Sequence, residues 1–185
     1  ALDRLAFELA LRTSVVPSFA SLAVAPSDRA LFEAPFLYMW GAEAFPPFSE
    51  DAVSRLRRHL ELGGLLLADD GSGIASSGFD ASVRREAGRI FPGSPLARLA
   101  DDHSIFRSYY LLRRLGGRVL VSPFLEGCTI DDRTPLILCR NDLGGAWARD
   151  PAGRPLFECL PGGEAQRQQA LFLGVNAVLY ALTVN

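Results

Sequence analysis

The chain has 185 residues, 49% of them hydrophobic and 22% charged, with a formal net charge of −2. That balance describes one globular domain with a substantial core, and it excludes a disordered chain, a collagen-like repeat and a small disulfide scaffold. All 19 basic residues are arginine, so Schiff-base and P-loop lysine chemistry are ruled out, and no global positive field exists to hold nucleic acid. The three cysteines, Cys128, Cys139 and Cys159, lie outside any C-x-x-C spacing and remote from both histidines. They read as free, buried thiols, and no metal site is expected. The opening residues show no basic start and apolar h-region of a signal peptide. The most apolar stretch, 170–184, contains Asn176 and is too short and too polar to span a bilayer, so it reads as a core helix.

Leu2, Leu5 and Leu9 recur at helical spacing with Ala6 and Ala10, which predicts an amphipathic helix from residue 2 to about 13. Pro17 interrupts it, and 18–25 has room for a short strand before the turn at Pro26-Ser27-Asp28. The apolar, aromatic run 35–40 ends at Gly41 and reads as a buried strand. A loop with Pro46 and Pro47 follows. Ser49 is then placed to cap a helix whose first turn carries Glu50 and Asp51, where the dipole favours negative charge. Val53, Leu56 and Leu60 mark its buried face, and Gly63-Gly64 ends it. A second buried strand, 65–68, runs into Asp69-Asp70. A Gly/Ser-rich loop, 71–78, leads to a helix with Phe79, Val83, Ala87 and Ile90 on one face, closed by Pro92-Gly93. Continuous apolar strands alternating with amphipathic helices predict an α/β domain with a mostly parallel sheet covered on both faces. Beyond Arg118, the stretches 119–121, 125–130 and 135–139 look like short strands between turns, and 163–183 like a last helix.

In an open α/β sheet, ligands bind beyond the carboxyl ends of the strands. That rule nominates Trp40 to Glu43, the Asp69-Asp70 pair with the loop after it, and Asp101-Asp102-His103. Adjacent carboxylates at a strand end can bind a cation, hold a ligand hydroxyl or raise one another's pKa. Equally, one of them can cap the following loop through its backbone N–H groups. His103 has Asp102 beside it for acid–base work, or is a structural histidine bonded to a nearby carbonyl. His59 sits at the edge of a helix face, solvated or packed. A Ser72/His103/Asp triad can be written on paper, but Gly71-Ser72-Gly73 is not a G-x-S-x-G elbow. The loop also lacks the glycine patterns that cradle phosphate. Arg140-Asn141-Asp142, followed by Gly144-Gly145 and Trp147, suits a ligand surface or an interface, or only a turn. The arginine groups 55/57/58, 84/85/89 and 113/114/118 are interleaved with acids and read as solvated faces.

Several stretches together resemble the bacterial domain of unknown function 4159 family. They include Leu11-Arg12-Thr13-Ser14, Pro35-Phe36-Leu37-Tyr38, Phe48-Ser49-Glu50, Leu62-Gly63-Gly64-Leu65 with Asp69-Asp70, Gly78-Phe79-Asp80 with Arg84-Arg85-Glu86, and Phe91-Pro92-Gly93. Further on they include Asp102-His103 with Ile105-Phe106, the run 122–127, Arg140-Asn141-Asp142 and Gly174-Val175-Asn176. The resemblance implies a class I glutamine amidotransferase-like fold: a flavodoxin-like three-layer sandwich with a mostly parallel central sheet, formed by residues 1–185 as a single domain. It also implies a first strand N-terminal to residue 1. The superfamily's nucleophilic cysteine has no counterpart at the strand end Asp69-Asp70-Gly71, so covalent amidotransferase chemistry is disfavoured. The expected function is therefore non-catalytic. The domain binds a small ligand or a protein partner, without metal or cofactor, through a site lined by Trp40, Glu43, Asp69, Asp70 and His103. Longer relatives with membrane anchors suggest a setting in the cell envelope or periplasm. The rival expectation is a hydrolase, metal-assisted or not, using Asp69, Asp70 and His103.

Overall fold

Two serines open the helices that frame the first half of the chain. Ser49 accepts a hydrogen bond from the Ala52 N–H at 3.2 Å, and Ser77 accepts one from the Asp80 N–H at 2.9 Å, each satisfying an otherwise orphaned first-turn donor. The computed structural model describes residues 1–19 and 21–183. In chain order it contains α1 (Leu2–Arg12), β1 (Phe36–Gly41), α2 (Glu50–Glu61), β2 (Leu65–Asp70), α3 (Gly78–Ile90), β3 (Ala97–Arg98), β4 (Glu126–Ile130), β5 (Arg133–Cys139), α4 (Leu143–Trp147) and α5 (Gly163–Thr183). Short 3-10 turns lie at Arg29–Glu33 and Ser104–Phe106.

The five strands form one sheet in the order β1-β2-β5-β4-β3. β1, β2 and β5 run parallel, while β4 and β3 are added antiparallel at the far side. The mixed α/β architecture with a parallel centre agrees with the sequence. Side chains alternate across β2. Leu65 and Leu67 join the cluster of α1, α4 and α5, including Leu5, Leu9, Trp147 and Leu173. Leu66 packs on the other face with Val53, Leu56 and Leu60 of α2 and Ala87 and Ile90 of α3. Helices therefore cover both faces. In register, Trp40 lies beside Asp69, Gly41 beside Asp70 and Asp69 beside Cys139. The carboxyl ends of the three parallel strands thus share one edge.

α5 is apolar nearly all round because it runs through the core. Asn176 is fully buried there, yet every polar atom of its side chain is used. Its Oδ1 accepts from the Tyr110 N–H at 2.8 Å, and its Nδ2 donates to the carbonyls of Ile105 and Tyr110, both at 2.8 Å. The polar interruption in the sequence is a bracket for the 105–110 loop. Among the described residues, no helix is long and apolar enough to cross a membrane.

Two expectations change. The described residues of 18–25 form no strand, and 119–121 contributes only a single parallel bridge from Val119 to Leu160. β3 and α4 were not foreseen. β3 is two residues long, and α4 has five residues anchored by its own N-cap, Asp142, and by Asp69 from the end of β2.

Candidate functional site at the carboxyl edge of the sheet

The Asp69-Asp70 pair ends β2, and the strand period of two sends the two carboxylates to opposite faces. Both are fully buried. Asp69 lies under the amino end of α4. Its Oδ1 accepts from the Leu143 N–H at 2.9 Å, and its Oδ2 accepts from the Gly144 N–H at 2.8 Å and the Tyr38 hydroxyl at 2.6 Å. These bonds favour the anion, but burial outweighs them and raises the carboxyl to about 7. Asp70 ties down the glycine-serine loop. Its Oδ1 accepts from the Ser72 N–H at 2.9 Å and its Oδ2 from the Ser77 hydroxyl at 2.5 Å. Because Ser77 caps α3, Asp70 connects the strand end to the helix start. Asp70 caps the following loop, as the sequence allowed for one of the pair, whereas Asp69 bonds the start of α4, a partner that the sequence did not indicate. They share no ligand, and among the described residues no group of three or more His, Cys, Asp or Glu side chains could hold a metal ion.

Trp40, the last but one residue of β1, is 53% exposed, with its indole N–H donated to Asp142 Oδ1 at 3.0 Å. Asp142 adopts the left-handed conformation at φ 54° and also accepts from the Gly145 N–H at 2.9 Å, so it is the N-cap of α4. Its Oδ2 pairs with the Arg118 guanidinium, which in turn donates to the Gly71 carbonyl at 3.2 Å. Glycine is required at 71, since a Cβ there would stand 2.3 Å from the Trp40 ring nitrogen. One indole face is thus fixed at the surface by a carboxylate, a guanidinium and a backbone turn. A second polar group lies beyond it. Arg84 holds Asp80 and Glu126 through both carboxylates, and Arg140 reaches the Ser122 hydroxyl at 3.3 Å. Glu43 is exposed in the loop after β1.

His103 is elsewhere. It caps the 3-10 turn at Ser104–Phe106, where its Nδ1 accepts from the Ile105 N–H at 3.2 Å. That assigns the proton of the neutral ring to Nε2, which donates to Thr134 Oγ1 at 2.9 Å. Burial lowers its pKa more than neighbouring Asp102 raises it, which favours the neutral ring. Thr134 is the second residue of β5, five residues before Cys139, and at ~3.3 Å per residue the two levels lie about 16 Å apart. His103 therefore sits at the opposite end of the sheet from Asp69 and Asp70, and the paper triad with Ser72 is not assembled. His59 is buried on α2 against Phe32. Trp147 is fully buried against Tyr38, so the 140–147 stretch offers no exposed aromatic.

A family model described as "Domain of unknown function (DUF4159)" matches residues 1–182. The chain belongs to the DUF4159 family. No curated protein matches it. In this DUF4159 domain the turn after β2 runs Asp70-Gly71-Ser72 with Ser72 capped onto Asp70, and no thiol stands there. The nearest cysteine, Cys139 at the end of β5, is fully buried beside Asp69, and both burial and that charge hold its thiol protonated. Cys128 is likewise pushed up to about 11 by burial. Sequence reasoning missed Tyr38, Ser77 and Arg118. Only Asp142 carried a signal, as the polar cluster immediately after a strand. Arg118 resembled any solvated arginine because its partner lies 24 residues downstream.

Proposed function

We propose that this domain is a non-catalytic binding module on a flavodoxin-like, class I glutamine amidotransferase-like three-layer sandwich, residues 1–185 forming a single domain of that kind. The parallel pairing of β1, β2 and β5 and the helices on both faces of the sheet support the fold reading. The binding surface lies at the carboxyl edge, where Trp40 presents its indole face and Glu43 a free carboxylate, with Asp69 and Asp70 as the framework beneath. The observation that carries this reading is the half-exposed Trp40, locked by Asp142 over a turn whose carboxylates are all consumed as caps. An exposed aromatic held rigidly binds flat or apolar ligand faces at little entropic cost. A hydrolase built on Asp69, Asp70 and His103 gains no support, because His103 stands at the other end of β5.

The test is a thermal-shift series with sugars, nucleotides, amino acids and divalent metals, read together with tryptophan fluorescence. The two tryptophans differ: Trp40 is exposed and Trp147 buried, so a ligand at the edge changes only the exposed emission. An organic ligand at about 100 times its Kd raises stability by about 2.7 kcal/mol. It should do so without metal, and Trp40→Ala should lose the effect while His103→Ala keeps it. Metal-dependent turnover abolished by Asp70→Asn would overturn the binding reading in favour of hydrolysis.

A further inference from the structure

Residues 103–125 carry four arginines, Arg107, Arg113, Arg114 and Arg118, and no acid, so this stretch is the exception to the interleaving of charges along the chain. Arg118 is committed to Asp142. Arg113 and Arg114 are exposed, and among the described residues neither makes a hydrogen bond or an ion pair. The loop that presents them is fixed at both ends. The Leu112 N–H donates to the Phe106 carbonyl at 2.7 Å, and the Arg118 N–H to the Asp142 carbonyl at 2.9 Å. Between these anchors the loop lies directly on α5, where a Cβ at Gly116 would stand 2.3 Å from the Gln166 carbonyl oxygen and the Ala170 nitrogen. Gln166 stitches the contact, its Nε2 donating to the carbonyls of Gly117 and Leu160 at 2.7 and 2.9 Å.

Where this loop and the first turns of α5 part, they leave a groove of about 440 Å³, inside the range of roughly 300–1,000 Å³ that ligand sites occupy. Leu111, Leu115 and Leu120 give it apolar walls and Arg113 and Arg114 its charge, and among the described residues none that lines it is acidic. Glu164, the acid in the first turn of α5, is committed to Arg167 at 2.8 Å. Leu111 and Leu120 are 71% and 47% exposed, and Leu160, next in the chain to the groove's Pro161, is 57% exposed. Exposed leucines rimmed by unpaired arginines mark an interaction surface. Gln169 also lines the groove, and among the described residues its amide makes no hydrogen bond. A free primary amide offers both a donor and an acceptor, the complement of a peptide unit.

We propose that this groove docks an acidic, leucine-bearing segment of a partner protein. The segment's carboxylates pair with Arg113 and Arg114, its apolar side chains sit on Leu111, Leu115 and Leu120, and its backbone bonds the Gln169 amide. Charge complementarity names the occupant, because two guanidiniums without a counter-ion favour an anionic partner and disfavour a basic one. The anchored loop is already in place, so little ordering entropy is lost on docking. The groove shares no residue with the surface around Trp40, Glu43, Asp69 and Asp70, and the inference therefore goes beyond ligand binding at the carboxyl edge.

Display of random short peptides on the immobilised chain, counter-selected on the Arg113→Glu/Arg114→Glu variant, tests it. Both side chains are exposed and unbonded, so the variant should melt at the wild-type temperature. The enriched peptides should combine aspartate or glutamate with leucine or another large apolar residue. One of them, synthesised with a fluorescein label, should bind at least roughly tenfold more weakly to the charge-reversed variant by anisotropy. Its binding should also weaken with Leu120→Ser, and in about 1 M salt, where charges are screened beyond roughly 3 Å. Trp40→Ala should leave its affinity unchanged, so failure here and failure of the carboxyl-edge reading are told apart. Absence of enrichment, enrichment of peptides without acids, or loss of binding in Trp40→Ala would overturn the proposal. Binding to phosphatidylglycerol vesicles or self-association of the chain, either one abolished by the charge reversal, would overturn it too, by assigning the groove to lipid or to a second copy.

Discussion

Asp69 shows how a single carboxylate becomes structural. It accepts three hydrogen bonds, two of them from the backbone at the start of α4, yet full burial still raises it to about 7. In the unfolded chain it titrates near its ordinary value of 3.8. Between those two values the folded state binds the extra proton, so stability falls as pH rises through the window and levels off above it. The slope is opposite to that of a salt-bridged aspartate. Asp69→Asn removes the titration and leaves one donor of the three poorly matched, at a cost of about 1–3 kcal/mol. The expected result in urea melts from pH 4 to 8 is a wild-type-minus-variant difference that shrinks steadily toward neutral pH. A difference that grows with pH would mean that the carboxylate is stabilised as the anion. The sequence offered capping and ligand binding as alternatives for this pair, and in the fold both carboxylates are buried and engaged as hydrogen-bond acceptors. Residue spacing does not reveal burial.

The elements legible in the sequence were those whose signals are local. α2 and α3 announced themselves through amphipathic faces, with Ser49 also legible as a cap, and β1, β2 and β5 through apolar runs bounded by glycine or charge. The illegible ones depend on distant partners. α4 contains two glycines in five residues and has little intrinsic helicity. It exists because Asp142 caps it and Asp69, 74 residues away, receives its first N–H groups. The stretch 18–25 has strand composition, but propensity cannot form a strand without a neighbour to pair with. α5 makes the converse point, since its one polar intrusion is what fixes the loop against it. Asn176→Ala would orphan the Tyr110 N–H and the carbonyls of Ile105 and Tyr110 in the interior. The expected loss is roughly 2–4 kcal/mol, a fall in Tm of about 10 °C for a chain of this size. Near-wild-type stability by calorimetry would show that water takes over those bonds.

Across the whole molecule, the parallel trio gives the sheet two chemically distinct ends. The carboxyl edge gathers Trp40, Asp69, Asp70, Arg118 and Asp142, which converge from sequence positions up to 102 residues apart. The amino edge holds His103, Thr134 and the Tyr180 hydroxyl, which accepts from the Thr134 N–H at 2.9 Å. A chain-order reading placed His103 with the aspartates because its turn follows α3. It could not foresee that β4 and β5 come back as an antiparallel pair and deliver Thr134 to the opposite end. The separation of about 16 Å along β5 makes a quantitative demand. Sites that far apart, with no shared partner, should be energetically independent to within about 0.5 kcal/mol. Asp69→Asn and His103→Ala, alone and combined, should therefore add in urea unfolding at a fixed pH of 8, above the titration of both groups. A coupling beyond about 1 kcal/mol would require a network running the length of β5 and would reopen a joint role for the histidine and the aspartate. Additivity would leave the carboxyl edge, with its fixed indole, as a surface that works without a base.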